Sequence, residues 1–197
     1  MNHLLNQLLP VWPATRAAGL TSYVLLFLSV VSGILQSLPG VLRRRRATLY
    51  ALHCTACQYG LLFGFLHGLL MLGDTTVSYT WREILVPFTA PYLPLATGLG
   101  TIALYIMVVL VISSRLIKRI GRKFWRVVHF LAFPGYLLAL YHGIAMGTDA
   151  QYAEIRLLYA ITAAVVLVLV LFRLSAGSAK KVPVSGGRGP ARDMGGC

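Results

Sequence analysis

Five stretches of this chain stay apolar for about twenty residues each, the length a helix needs to cross a bilayer. They run from about residue 17 to 38, 47 to 72, 91 to 114, 124 to 146 and 156 to 174. Inside a hydrocarbon core every backbone amide needs an internal partner, so stretches of this kind can only be helices. Composition agrees. Of 197 residues, 57% are hydrophobic and only 12% are charged, whereas soluble domains carry about 25% charged residues. An ordinary cytosolic globule and a disordered chain are both excluded. The expected fold class is an all-α integral membrane protein, a five-helix transmembrane bundle.

The net charge of +13 then needs a place to sit, and the spans provide it. Arg43 to Arg46 lie between spans one and two. Arg115, Lys118, Arg119, Arg122, Lys123 and Arg126 lie between spans three and four or at the start of span four. Arg173, Lys180, Lys181, Arg188 and Arg192 lie at or beyond the end of span five. Fifteen of the 18 basic residues therefore share one side, leaving Arg16, Arg82 and Arg156 on the other with Asp74, Glu83, Asp149 and Glu154. Lys and Arg concentrate in cytoplasmic loops, so the N-terminus is expected outside and the C-terminus in the cytoplasm. The protein is expected to be multi-pass in a cell inner or plasma membrane, with lipid as its surroundings. A nucleic-acid surface would not be split among apolar spans. Residues 1–13, with Trp12, read as a short interfacial segment. Residues 14–175 form the membrane domain, and 176–197 read as a disordered basic tail.

Four of the five histidines lie within spans: His53 and His67 in span two, His129 and His142 in span four. An ionisable side chain at membrane depth is costly and marks function by default. Fourteen helical residues turn through about 1400°, so His53 and His67 face nearly one way, about 21 Å apart. His129 and His142 are thirteen apart. A straight helix would leave them roughly 140° out of phase, and Pro134-Gly135 between them is where a helix can rewind. Both spans enter from the basic side. His53 and His129 therefore share one depth, and His67 and His142 the other. Each pair is suited to supply two axial imidazoles to a b-type haem, giving two haem b groups stacked across the membrane. Zinc is disfavoured, because the pairs are too far apart to share an ion and no carboxylate completes a site.

The pattern resembles the transmembrane domain of the ferric reductase and NADPH oxidase superfamily. The local sequences Gly64-Phe-Leu-His67, Arg122-Lys-Phe-Trp-Arg-Val-Val-His129, Tyr141-His-Gly143 and Gly147-Thr-Asp149 are similar to that family's. The resemblance covers residues 14–175. It implies that His53 pairs with His129 on an inner haem and His67 with His142 on an outer one. It also implies electron transfer across the membrane from an inner donor to an outer acceptor. Eukaryotic members carry a sixth helix and a flavin/NADPH domain. This chain, with five spans and no Gly-rich dinucleotide fingerprint, more nearly resembles small bacterial ferric reductase-like components. These include the haem-binding subunit of the periplasmic methionine sulfoxide reductase system. A separate donor, flavoprotein or quinol, and an outer acceptor or reductase subunit are then expected.

Arg16, Arg82 and Arg126 are candidate contacts for haem propionates, since a guanidinium grips a carboxylate in a fork. The competing accounts are interfacial anchoring for the first two and the positive-inside pattern for Arg126. Gly60, Gly64 and Gly68 in span two leave room either for a porphyrin edge or for helix packing. His53-Cys54-Thr-Ala-Cys57 has the reverse order of a covalent haem motif, and both cysteines read as small packing residues. A haem-binding subunit passing quinol electrons to a periplasmic reductase, and a non-redox scaffold or transporter with structural histidines, remain as alternatives. The charge asymmetry makes a direct prediction. A fluorescent protein that matures only in the cytoplasm should light up when fused at the C-terminus, and alkaline phosphatase fused there should stay inactive; the opposite pattern would invert the bundle.

Overall fold

Helix forms wherever the apolar runs leave the backbone no other partner. The computed structural model describes residues 11–38, 45–74 and 79–178, and among these no strand occurs. The elements are α1 (Val11–Ser37), α2 (Arg46–Met71), α3 (Trp81–Leu85), α4 (Pro94–Arg115), α5 (Ile117–Ile120), α6 (Arg122–His129), α7 (Ala132–Met146), a 3-10 turn (Thr148–Gln151) and α8 (Ala153–Ser178). Five segments are long and apolar enough to cross a membrane: α1, α2, α4, α6 with α7, and α8 through Ser175. This is a multi-pass membrane protein whose wide exposed apolar sides, such as Leu62, Val127 and Leu167, face lipid.

Two boundaries differ from the sequence expectation. Residues 11–13 are not part of a separate interfacial segment but the first turn of α1. Pro13 fits there because first-turn amides have no intrahelical acceptor to lose. Residues 1–10 and 179–197, most of the expected interfacial segment and nearly all of the expected tail, lie outside the described residues. The fourth span is the second difference, being interrupted between α6 and α7. Pro134 has no N–H to offer the carbonyl of Phe130, and Phe133 takes that carbonyl instead at 3.2 Å, one residue early. Leu131 likewise bonds Val128 at 3.0 Å. Each residue wound this tightly turns about 20° more than an α-helical one. Overwinding supplies part of the phase correction, and His129 and His142 both face histidines of α2.

The spans close into a ring in the order α1, α2, α4, α7, with α8 laid against α1 and α7. α1 is the central helix, and its Tyr23, Leu26, Val30 and Ile34 are buried with Met107, Tyr136, Tyr159 and Val166 of the other helices. The hydroxyls of Tyr23, Tyr136 and Thr162 in this core are paired, as buried polar groups usually are. The Tyr23 hydroxyl meets Tyr136 at 3.1 Å and Thr162 at 2.5 Å, and its ring packs edge-on to Tyr159 with centres 4.9 Å apart. Away from the arginine-rich end, α3 is started by a reciprocal capping box between Thr80 and Glu83. Thr101 donates to the carbonyl of Ile84 at 3.0 Å and Tyr105 to that of Leu85. These bonds fasten α3 across α4.

Tyr136 is 1% exposed and joins α7 to α1. Tyr136→Ala should cost about 3–5 kcal/mol, and Tyr136→Phe, which removes only the hydroxyl, about 1 kcal/mol. Unfolding curves of the protein in mixed detergent micelles check both values.

Candidate functional site: two facing histidine pairs

The imidazoles meet as the depth argument requires. His53 of α2 faces His129 of α6, ring centres 6.0 Å apart with planes at 64°. His67 of α2 faces His142 of α7, 6.1 Å apart at 79°. A metal–imidazole nitrogen bond is about 2.0–2.1 Å. Two imidazoles in line on one ion therefore place their ring centres about 6 Å apart.

At three of the four rings Nδ1 has a backbone carbonyl as its partner. Nδ1 of His53 donates to the carbonyl of Ser29 at 2.8 Å. Nδ1 of His67 donates to Thr15 at 2.9 Å, and Nδ1 of His142 to Ala96 at 2.9 Å. A proton fixed on Nδ1 leaves Nε2 as a bare lone pair, and this backing by a carbonyl is what metal-ligating histidines require.

The carbonyls are reachable because a glycine stands four residues on from each. A Cβ on Gly19 would lie 2.9 Å from Nδ1 of His67, and one on Gly33 3.2 Å from Nδ1 of His53. A Cβ on Gly100 would collide with His142. The pattern is a small residue, three others and a glycine: Thr15/Gly19, Ser29/Gly33 and Ala96/Gly100. Sequence reasoning missed these seats, although their signal was present. Gly19 and Gly33 are fourteen apart, the same interval as His53 and His67.

The fourth ring is held differently. Fourteen residues beyond Ala96 and Gly100 stand Leu110 and Ser114, and Ser114 carries a side chain where a glycine would be needed. Nδ1 of His129 is buried without a hydrogen-bond partner. Instead the ring stacks on Trp125, centres 4.6 Å apart, and the Trp125 indole donates to Ser114 Oγ at 3.1 Å.

Each pair borders a cavity. One, about 320 Å³, holds His53 and His129 with Gly33, Ser114, Trp125 and Arg173 on its wall. The other, about 300 Å³, holds His67 and His142 with Arg16, Gly19, Gly64 and Gly100. Both volumes fall in the range of cofactor pockets. Leu26 and Met107 border both and form the wall between them. Gly64 and Gly68 line the second cavity, while Gly60 packs against Leu25 and Met107. Of the three candidate arginines, Arg16 reaches a cavity and forms an ion pair with Asp149. Arg82 and Arg126 are exposed and line neither. Arg173 of α8, not singled out from sequence, lines the first and donates to Ser37. At the second cavity, burial pushes the Tyr79 phenol up, which keeps it neutral.

Residues 10–149 match the family described as Domain of unknown function (DUF8596). The chain belongs to that family. The DUF8596 region takes in all four paired histidines and the three glycine seats, and it stops short of α8. No curated protein matches the chain.

A bare ion fits this DUF8596 site poorly. Among the described residues no three His, Cys, Asp or Glu side chains converge, and structural zinc asks for four ligands. Two opposed imidazoles on an apolar cavity suit a flat group that brings its own in-plane donors. The seats make the prediction here. In protein labelled with ¹⁵N-histidine, His53, His67 and His142 should show the Nδ1–H tautomer. Gly33→Val, Gly19→Val and Gly100→Val should each shift that signal for their own histidine alone. Uniform shifts in all three variants would refute the pairing of glycine with ring.

Proposed function

We propose that this protein is the membrane component of an electron-transfer system. It holds two b-type haems, His53 with His129 and His67 with His142, and resembles the ferric reductase and NADPH oxidase superfamily. The observation that carries this is the pair of opposed imidazoles at each of two depths, spaced for one metal ion between them. When bound, haem with two imidazole ligands supplies one-electron transfer at its iron.

The chain's own residues do the rest. Ser29, Thr15 and Ala96 hold three imidazoles in one tautomer and one direction through their carbonyls. Leu26 and Met107 keep water out of the space between the two cavities, so an electron crossing there meets no mobile dipoles. Arg16 and Arg173, each at a cavity wall, are the cationic side chains suited to carboxylate edges. The positive-inside rule, applied to the loops rich in Arg and Lys, supports a cytoplasmic side for the His53/His129 site, in a cell inner membrane or plasma membrane. Electrons enter there from a flavoprotein or quinol and leave at the His67/His142 site to an acceptor outside. The basic loops also suit docking of an acidic donor protein.

Purification of the full chain from cells supplied with haem precursor tests the proposal. The reduced protein should show a b-type spectrum with two low-spin haems per chain. His67→Ala should lose one haem and retain the other. A colourless protein overturns the reading, and survival of both haems in His67→Ala overturns the pairing.

A further inference from the structure

We infer that the elbow joining α4 to α6 binds the phosphate groups of anionic phospholipids, in the leaflet at the arginine-rich end of the bundle. The inference stands apart from the haem reading.

The elbow is short and closely tied. α4 ends at Arg115, α5 is one turn over Ile117–Ile120, and α6 begins at Arg122. Gly121 between them has a φ of 81°, where a residue with a Cβ is strained. Its N–H bonds the carbonyl of Ile117 at 3.0 Å, and its own carbonyl accepts from the Trp125 N–H at 3.1 Å. One residue therefore closes α5 and opens α6. The Trp125 indole, bonded to Ser114 Oγ at 3.1 Å, fastens α6 back to the end of α4.

This turn carries an unbalanced charge. Arg115, Lys118, Arg119, Lys123 and Arg126 are exposed on it. No Asp or Glu occurs between Glu83 and Asp149 in the sequence. Asp74, Glu83, Asp149 and Glu154 stand at the opposite end of the bundle, and Asp193 lies outside the described residues. Like charges this close repel, and the described residues bring no carboxylate to offset them. The complementary charge comes from outside the chain.

The apolar neighbours of these cations select the kind of anion. Leu116 is 37% exposed, Phe124 59% and Val127 69%. Phe124 and Val127, three apart, share a side of α6, and that side belongs among acyl chains. Lys123 and Arg126, each one position earlier, form the adjacent stripe. Cations in the same turns as lipid-facing side chains sit where acyl chains give way to headgroups, and their long stems carry the charge outward to the phosphates. Guanidinium matches phosphate oxygens two at a time. Clusters of Lys and Arg beside a spanning helix bind anionic lipid in this way. A soluble anion would have no use for the apolar stripe.

Electron paramagnetic resonance of spin-labelled lipids tests this, with the full chain in nanodiscs of phosphatidylcholine containing a minority of phosphatidylglycerol. Labelled phosphatidylglycerol should be held at the protein surface several-fold more strongly than labelled phosphatidylcholine. Arg119→Gln alone should lower that preference by up to about five-fold, the factor one basic residue is worth at an anionic surface. Replacing Lys118, Arg119, Lys123 and Arg126 together by Gln should abolish it. Arg82→Gln with Arg156→Gln, at the opposite end, should leave it unchanged. Raising the salt should weaken the preference in the wild type, a measurement that needs no variant to fold. Equal retention of the two lipids by the wild type overturns the inference and leaves the basic elbow to an acidic protein. A preference that survives the fourfold replacement, or that falls equally in the Arg82/Arg156 variant, overturns the assignment to the elbow.

Discussion

An imidazole within an apolar bundle has two nitrogens to settle, and the bundle is arranged around how it settles one of them. A helix carbonyl already accepts one bond along its own helix and has a second lone pair to offer. A ring nitrogen can reach that lone pair only where a neighbouring residue lacks a Cβ. Thr15/Gly19, Ser29/Gly33 and Ala96/Gly100 meet this condition, and the ring-to-carbonyl distances of 2.8 to 2.9 Å follow. The close antiparallel contact of α1 with α2 depends on it too, because two such seats on α1 receive two histidines of α2 at the same fourteen-residue interval. One satisfied nitrogen leaves the other uncommitted, and the opposed rings then look across a cavity instead of into a wall.

The fourth span shows what it takes to meet this requirement when the interval is wrong. Thirteen residues separate His129 from His142. Without a break, one of the two would face lipid. Pro134 supplies the break: its missing N–H leaves the Phe130 carbonyl to Phe133, and the chain overwinds for a few residues. The compensation is incomplete, since His142 finds a seat at Gly100 while His129 finds Ser114 and turns to Trp125. A proline that repairs the phase and a serine that fills the fourth seat leave one centre built unlike the other.

The five spans and the sharing of depth by the histidines were legible in the sequence, because each depends on local composition and on helix rise alone. What was not legible depends on which face of one helix meets which face of another. Arg126, three residues before His129, reads in the sequence as a candidate propionate contact, yet on α6 it is exposed and lines neither cavity. Arg173, more than forty residues on, is carried to the same cavity by the docking of α8. The glycine seats were readable as an interval but meaningless until α1 was known to lie antiparallel against α2. Pro13, the last residue of the expected interfacial segment, lies instead in the first turn of α1, where a proline is tolerated.

The charge of +13 suggests that the arginine-rich end is electrostatically overwhelming, but position decides more than number. Arg115, Lys118, Arg119, Arg122, Lys123 and Arg126 are all exposed. Their field is screened within about 10 Å at ordinary ionic strength, so they make that end of the bundle a basic outer face. Charges lining a cavity are poorly screened, and their effect per charge is several-fold larger at an effective dielectric of about 20 than in water. Arg173 on one side and Arg16, Asp74 and Asp149 on the other therefore govern the interior more than the whole basic surface does. Basic residues on the outer face and Arg173 at the cavity wall are therefore separable, and a change in the loops should leave the surroundings of the two histidine pairs almost untouched.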